Sequence, residues 1–501
     1  MLWCFLISTL AFSQEKYTLS GVVSEASSGE TLLNVNVIIP SLQTGTVTNE
    51  YGFYSITLPE GTYTSDTTVA INLAEDTQQL DEIVIKADIE ALNIRKPEMS
   101  VNRLTAGTIK KIPVVLGEKD VIKAITLLPG VTNAGEGASG FNVRGGAADQ
   151  NLILLDEATL YNSSHLFGFF SVFNPDAIKD LTLYKGGIPA RYGGRISSVL
   201  DIYQKDGNIK QFEANGGIGL VASRLLLEGP IKKDTASFLI GGRSSYAHLF
   251  LPLFDNDNIA YFYDLNTKIS YNINKDNRLF LSGYFGRDVF EIADSFSNNF
   301  GNATVNLRWN HLFNDQLFSN LSLIYSDYYY GLELGFVEFD FDSGIKNFNL
   351  KYDFSHYISE KVKLQYGFNG IYYQFNPGEI NPTTETSGIN PFKTTKKYAT
   401  ENAIYLDSEI KVSDKLSVQA GLRFSTFARL GQDALNVYEN DNPILYNQNL
   451  DIYQKATPID TISFKRSEVI ESFGNLEPRI SAAFQLNETS SIKASYNRTA
   501  Q

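Results

Sequence analysis

From Ile196 to the end of the chain, apolar and polar residues alternate with a period of two through one segment after another. In KLSVQAGLRFS, Leu416, Val418, Ala420, Leu422 and Phe424 alternate with Lys415, Ser417, Gln419, Gly421, Arg423 and Ser425. KVKLQYGFNG sets Val362, Leu364, Tyr366 and Phe368 against Lys363, Gln365, Gly367 and Asn369, and EPRISAAFQL, SIKASYN and ATVNLRWNHLF continue the theme. Successive side chains of a strand point to opposite faces, so each segment carries one apolar and one polar face. Runs of about ten residues of this kind suit a membrane-spanning strand, with lipid on one side and a polar lumen on the other.

A sandwich in water alternates too, so the connections must separate the two readings. The pattern predicts about thirteen strands. Short links (NINKDN, FNDQ, ISEK, VSDK and LNETS) alternate with longer ones: Tyr328 to Asp342, Gly378 to Lys396 and Leu430 to Asn475. An up-and-down barrel requires that parity, whereas a Greek-key sandwich does not. Thirteen is odd, and an unclosed edge leaves backbone groups unpaired in lipid. The 501 residues are therefore expected to be the N-terminal part of a longer barrel.

The pattern differs upstream. Residues 1–13 (MLWCFLISTLAFS) form an apolar run too short to span a bilayer, with Ala11 and Ser13 at cleavage-site positions, and read as a signal peptide without its usual basic start. Residues 17–75 hold short alternating runs separated by Ser-Gly, Thr-Gly and Tyr-Gly turns, which predicts a small antiparallel β-sandwich. Residues 76–94 are a polar linker carrying one strand-like island, LDEIVIKA (Leu80 to Ala87). Residues 95–195 mix helix and strand. EKDVIKAITLLPG has Val121, Ile122, Ile125 and Leu128 at helical spacing before Pro129-Gly130, while NLILLD and IKDLTLY read as strands. Residues 196–501 are the barrel region, with its first strand directly after Arg195.

Composition supports the mainly β reading: Tyr 28 and Phe 33 against Met 2 and Cys 1. A formal charge of -14 argues against nucleic-acid binding, since a phosphate backbone wants a basic face. The single cysteine, Cys4, lies in the signal segment, so the mature chain is held by sheet and packing rather than disulfides. Catalytic and metal chemistry find no support. His165, His248, His311 and His356 are scattered without ligand spacing, and no serine or cysteine sits in a nucleophile motif. FDNDN (Phe254 to Asn258) and ENDN (Glu439 to Asn442) lack the full calcium-loop pattern and read as polar loops. No cofactor and no enzymatic activity are expected.

YKGGIPARYGGRISSVLDI, Tyr184 to Ile202, crowds glycines and arginines around a proline. A phosphate loop would need a helix next and GxxxxGK[ST] or GxGxxG spacing; a strand follows and neither spacing is present. The glycines instead suit a sharp backbone path against a wall, and the arginines want fixed carboxylate partners. NSSHLFGFFSVF, Asn162 to Phe173, reads mainly as packing, with an aromatic ligand-facing surface as the alternative.

These residues resemble the TonB-dependent outer-membrane receptors. GFNVRGGAADQNLILLDEATLY with LTLYKGGIPARYGGRISSVLDI is similar to that family's plug domain and plug-to-barrel junction. LDEIVIKA resembles the TonB box, and GVVSEASSG…TGTVTNEYGFYSITLPEGTY the carboxypeptidase-regulatory-like domain of Bacteroidetes-type members. The resemblance implies a mainly β protein: a sandwich, an α+β plug and a transmembrane antiparallel barrel, about 13 strands of an expected 22. It implies an outer-membrane importer of a siderophore, vitamin, peptide or oligosaccharide, powered through TonB with its ExbB/ExbD complex.

Asp81, Glu82, Ile83, Val84 and Ile85 would be the strand TonB captures by β-addition; an edge strand of the sandwich is the alternative. Arg144, Gly145, Gly146, Asp156, Gly186, Gly187, Arg191, Tyr192, Gly193, Gly194 and Arg195 would lie in the plug core or at its junction with the wall. Two departures stand out. After Tyr63 the sandwich lacks the family's further strands, so it is expected to be incomplete. The plug also lacks the Ala-rich signature of SusC-type glycan importers, which argues against a lipoprotein lid. The rival readings are a passive porin or surface-binding scaffold, opposed by the plug, and an outer-membrane enzyme, opposed by the missing catalytic constellation.

Overall fold

The computed structural model describes residues 17–39, 44–58, 67–73, 94, 96–111, 118–135, 140–254, 258–293, 295–487 and 489–501. Residues 1–13, expected to be a signal peptide, and Asp81 to Ile85 lie outside the described residues.

Thirteen strands, from Glu213–Ile218 to Ser490–Asn497, follow one another in chain order as one antiparallel sheet, with short Phe392–Lys393 added on one of them. The burial along these strands decides what surrounds them. In Ile259–Asn274, Asp264, Asn266, Lys268 and Ser270 are 6% exposed or less, while Leu265, Ile269, Tyr271 and Ile273 are 43–47% exposed. Phe296–Asn314 repeats this: Thr304, Asn306, Arg308 and Asn310 are buried, and Val305 and Leu307 are exposed. A sheet in water would bury the opposite set. Polar residues inside and apolar residues outside make a barrel wall facing lipid.

The predicted short links are the turns at Asn274–Asn277, Asn314–Leu317, Ser359–Val362, Lys411–Leu416 and Asn487–Ser490. One predicted long loop is not a loop. Tyr328 to Asp342 is mostly strand, because Leu317–Leu334 and Phe339–Ser359 stay paired through Tyr328↔Ile345 and Tyr330↔Ser343. Tyr and Phe favour extended backbone, and strands of 18 and 21 residues exceed the roughly ten that cross a bilayer. Their excess extends the wall on the side away from the short turns. The predicted loop from Leu430 to Asn475 contains two small hairpins, Asp433–Val437 with Asp460–Phe464 and Ile444–Asn447 with Ile452–Lys455, before the wall resumes at Val469.

The plug is a five-stranded sheet in the order Ala158–Thr159, Asn151–Leu155, Ser198–Gln204, Ile178–Tyr184, Val101–Thr105. Here the sequence reading needs correcting. Ser198–Gln204 is not the first barrel strand but the centre of the plug sheet, parallel to Asn151–Leu155 and antiparallel to Ile178–Tyr184. All seven of its residues are buried, with apolar groups on both faces, so it cannot serve as a wall strand with one lipid face. The barrel region starts at Glu213 rather than at residue 196. Helix Val121–Thr126 is capped by the Asp120 carboxylate, which accepts from the Lys123 N–H at 2.8 Å. Leu128 lies past its end yet packs on the plug core of Ile125, Phe141, Leu155, Leu181 and Leu200.

The N-terminal sheet is mixed rather than antiparallel. Thr18–Glu25 pairs antiparallel with Phe53–Thr57 but parallel with Thr67–Thr68 and Ile71–Leu73. The chain after Tyr63 returns alongside the first strand in the same direction, which alternation alone does not reveal.

Leu307→Arg places a charge on the lipid face near mid-strand. It is expected to cost about 2–4 kcal/mol in a urea titration of folding into lipid vesicles.

Candidate functional site

The polar inner face of the wall meets the plug at buried charges. At the plug apex, His165 is 1% exposed and stands between two wall carboxylates, Asp288 at 2.7 Å from Nδ1 and Asp264 at 3.2 Å from Nε2. Asp288 also accepts the Leu166 N–H at 2.7 Å, and Arg243 joins Asp264 at 2.5 Å while donating to the Ser171 carbonyl. The stretch from Asn162 to Phe173 is therefore largely packing, with Phe170, Val172 and Phe173 buried; Phe169 alone of the large apolar residues there is more than half exposed.

Lower in the lumen, Asp156 has a left-handed backbone (φ 46°) and is 1% exposed. Its carboxylate accepts from the backbone and side chain of Gln204, and from wall Lys268 at 3.4 Å. Its carbonyl accepts from wall Asn306 at 2.6 Å. The sequence reading placed Asp156 at a strand end; the fold makes it a joint between plug and wall.

The glycine-arginine loop forms a second joint. Wall Arg423 donates to the carbonyls of Ala190 and Arg191, and wall Arg479 to those of Ile188 and Pro189. Asp407 accepts the Ala190 N–H at 3.1 Å, and Glu477, 1% exposed, pairs with Arg479 at 2.9 Å and Arg423 at 3.8 Å. Gly193 is required for this approach, since a Cβ there would stand 2.4 Å from Arg423 Nε. Gly194 adopts φ 74°, a region L-residues avoid. Tyr192 donates to Asp201 at 2.6 Å, and its ring lies 4.7 Å from the Arg191 guanidinium.

Arg191 finds its carboxylate on the N-terminal domain: it is bonded to Glu50. Burial pushes the Glu50 carboxyl up, but Arg191 and Lys363 outweigh it and hold it down at about 2, against an ordinary 4.5. Arg195 is half-buried and donates to the carbonyl of Gly194. Arg144 departs from its expected place in the plug core. It is exposed, has φ 51°, and donates to Ser100 at 2.6 Å beside Gly186. A left-handed turn between Val143 and Gly145 turns its side chain away from the apolar core. Gly145 (φ 81°) and Gly187 (φ 57°) complete such turns, and Gly146 lies against Ser197.

Several residues of this seam escaped the sequence reading: Asp264, Asp288, Arg308, Asp407, Glu477 and Arg479 in the wall, and Glu50 and Tyr51 in the N-terminal domain. The wall residues had a signal, because each occupies an inward position of a period-two strand. Glu50 and Tyr51 had none. Between loop and wall runs a cavity of about 60 Å³ lined by Tyr161, Arg195, Lys351, Tyr373 and Glu401, among others.

Three family models match the chain: TonB-dependent Receptor Plug Domain over residues 93–199, TonB dependent receptor-like, beta-barrel over 240–501, and CarboxypepD_reg-like domain over 19–67. TonB-dependent receptor SusC of Bacteroides thetaiotaomicron is 25% identical over 241 residues, which is 42% of this chain and 23% of that protein. Among solved structures, the copper transporter OprC superposes with TM-score 0.57 at 11% identity, covering 80% of this chain and 64% of that one. The ferric-catecholate import receptor Fiu of E. coli K12 gives 0.57 at 13%, covering 81% and 70%. At such identity these structures share the fold. The chain thus spans about a quarter of the matched SusC and under two thirds of OprC.

Gly193→Ala is expected to destabilise the seated plug by about 1–3 kcal/mol in urea titration. Gly186→Ala should cost far less, because the nearest atom to its Cβ is the flexible end of Arg144, at 3.1 Å. The Glu50–Arg191 pair should be complete above pH 4.5 and lost as pH falls from there through about 2. Pepsin cleavage of the N-terminal domain should rise across that window, and Glu50→Gln should abolish the step.

Proposed function

The chain belongs to the TonB-dependent receptors, outer-membrane β-barrel proteins, and from that membership we propose that it imports a scarce ligand using energy delivered by TonB. Ligand binds at the outer hairpins and the plug apex, TonB with its ExbB/ExbD complex grips Asp81 to Ile85, and force rearranges the plug. The cargo is proposed as a siderophore, vitamin, peptide or oligosaccharide; relatives of the same fold are named for copper and for ferric catecholate. The protein is assigned transport rather than catalysis, with lipid around its wall.

The observation that supports this reading best is how the plug is held. Its own core is apolar and continuous, whereas many of its contacts with the wall are hydrogen bonds and ion pairs, beside apolar ones such as Phe170 on Phe262 and Ala177 on Leu226 and Leu239. Polar contacts exchange with water at a modest net cost, about 0.5–1.5 kcal/mol for a neutral hydrogen bond and about 1.5–3 kcal/mol for one to a charged group, so the polar part of the seam can open while the plug core stays intact. Arg191, Tyr192, Gly193, Gly194 and Arg195 are the proposed junction at which this happens, with Asp156 as its counterpart lower in the lumen. Arg144, Gly145, Gly146, Gly186 and Gly187 are proposed to shape the turns beside it. A passive pore would have no use for a folded plug.

Ile83→Pro removes a backbone donor from the strand TonB would pair with. It is expected to weaken binding of the isolated periplasmic domain of TonB by about tenfold or more while the barrel still folds. Undiminished binding would overturn the assignment of Asp81 to Ile85.

A further inference from the structure

The N-terminal domain does not stand apart from the receptor. Its turn Asn49–Phe53, between strands Thr44–Val47 and Phe53–Thr57, enters the lumen from the side of the short turns and touches plug and wall together. The Asn49 side chain accepts the N–H groups of Tyr51 and Phe53, and Gly52 takes φ 76°, which fixes the turn. Tyr51 then donates to Glu157 of the plug at 2.6 Å, stacks on wall Phe318 with centroids 5.2 Å apart, and meets plug Tyr203 edge-on. The guanidinium of wall Arg308, itself 4% exposed, lies 5.1 Å from the Tyr51 ring. Phe53, 1% exposed, stacks on Phe318 and packs edge-on to Tyr357.

The base of the domain is held as well. Ser20 donates to Asp315 in a short turn at 2.6 Å, and Gln316 of the same turn donates to Thr18 at 3.2 Å. Glu30 accepts the Asp206 N–H at 3.0 Å, and plug Lys179 donates to Thr31 at 3.2 Å. A domain merely tethered nearby would not bury an aromatic pair and a carboxylate between two other bodies.

We propose that the Asn49–Phe53 turn is a latch, an interaction surface whose partner is the plug–wall seam of the same chain, and that its docking keeps the plug seated. Two features carry this. Glu50 is the carboxylate that pairs with Arg191, the residue whose carbonyl, with that of Ala190, is held by wall Arg423. Tyr51 bridges Glu157 of the plug to Phe318 of the wall. Withdrawing the turn leaves Arg191 and the Tyr51 contact of Glu157 unmatched, which weakens the seam on the side from which the plug would leave. Residues 74–93 join the domain to the plug in sequence, so tension on that stretch reaches Leu73 as directly as it reaches Lys96. The latch thus regulates the import proposed above and rests on that reading for its purpose, though not for its existence.

The test uses the whole receptor in detergent, with Ser20→Cys and Asp315→Cys joined by a short bis-maleimide, each thiol adding across one maleimide double bond. Efficient linking is expected with the native turn. Glu50→Gln with Tyr51→Ala should lower the linking yield and speed amide exchange in plug strand Ile178–Tyr184 by about tenfold, the loss of about 1.4 kcal/mol of seating. Linking the domain in place should restore slow exchange. Tyr51→Phe, which keeps the ring and removes the hydroxyl, should give a smaller effect and guards against misfolding. Native linking yield and exchange in both variants would overturn the latch. If TonB fails to bind the native receptor while these effects persist, the importer reading falls and the latch stands.

Discussion

A wall that presents apolar side chains to lipid must turn its polar ones inward, and those inward groups then need partners. Between neighbouring strands from Glu213–Ile218 to Ser490–Asn497 the backbone hydrogen bonds are satisfied, but Asp264, Lys268, Arg308, Arg423 and Arg479 are all 5% exposed or less inside the lumen. A buried charge without a partner is costly enough that the lumen could not be left lined with them and dry. The plug meets much of this requirement. His165 answers the Asp264 and Asp288 carboxylates, Asp156 answers Lys268, and backbone carbonyls from Ile188 to Arg191 answer Arg423 and Arg479.

That division of labour shapes the plug itself. Its interior is held by apolar packing around Ile125, Phe141, Leu181 and Leu200, while much of its surface answers charged and polar groups of the wall, beside apolar contacts such as Phe170 on Phe262. The glycine-arginine loop shows the two demands meeting. Gly193 leaves room for a guanidinium to reach main-chain carbonyls, and Arg191 points the other way, to the N-terminal domain. Gly193 accommodates Arg423, Gly194 faces Glu401, and Gly187 the Met99 backbone.

The wall was legible because period-two alternation depends only on the pleat of a strand and on what lies on each side. KLSVQAGLRFS and ATVNLRWNHLF state that arrangement locally, and the short turns between strands are equally local. Leu317–Leu334 and Phe339–Ser359 ran further than expected, since nothing in a Tyr-rich stretch marks where lipid ends. The strand Ser198–Gln204 was misassigned for a different reason. Its apolar residues on both faces mark a strand buried on both sides, yet its position after the junction motif suggested the barrel.

The amino-acid sequence by itself determined the facing of the wall strands, the short turns on one side and the glycines of the junction, because each follows from steric and solvation rules acting over a few neighbouring residues. Only the tertiary structure decided who meets whom. Glu50 and Arg191 are 141 residues apart, and Ser20 and Asp315 are 295 apart. Arg144, in a motif that suggested a buried role, is turned outward by a left-handed backbone, while unremarkable Asp407 and Glu477 became the anchors of the seam. Electrostatic pairing acts through space, and a chain's order carries no record of it until the sheet has curved and the plug is seated within.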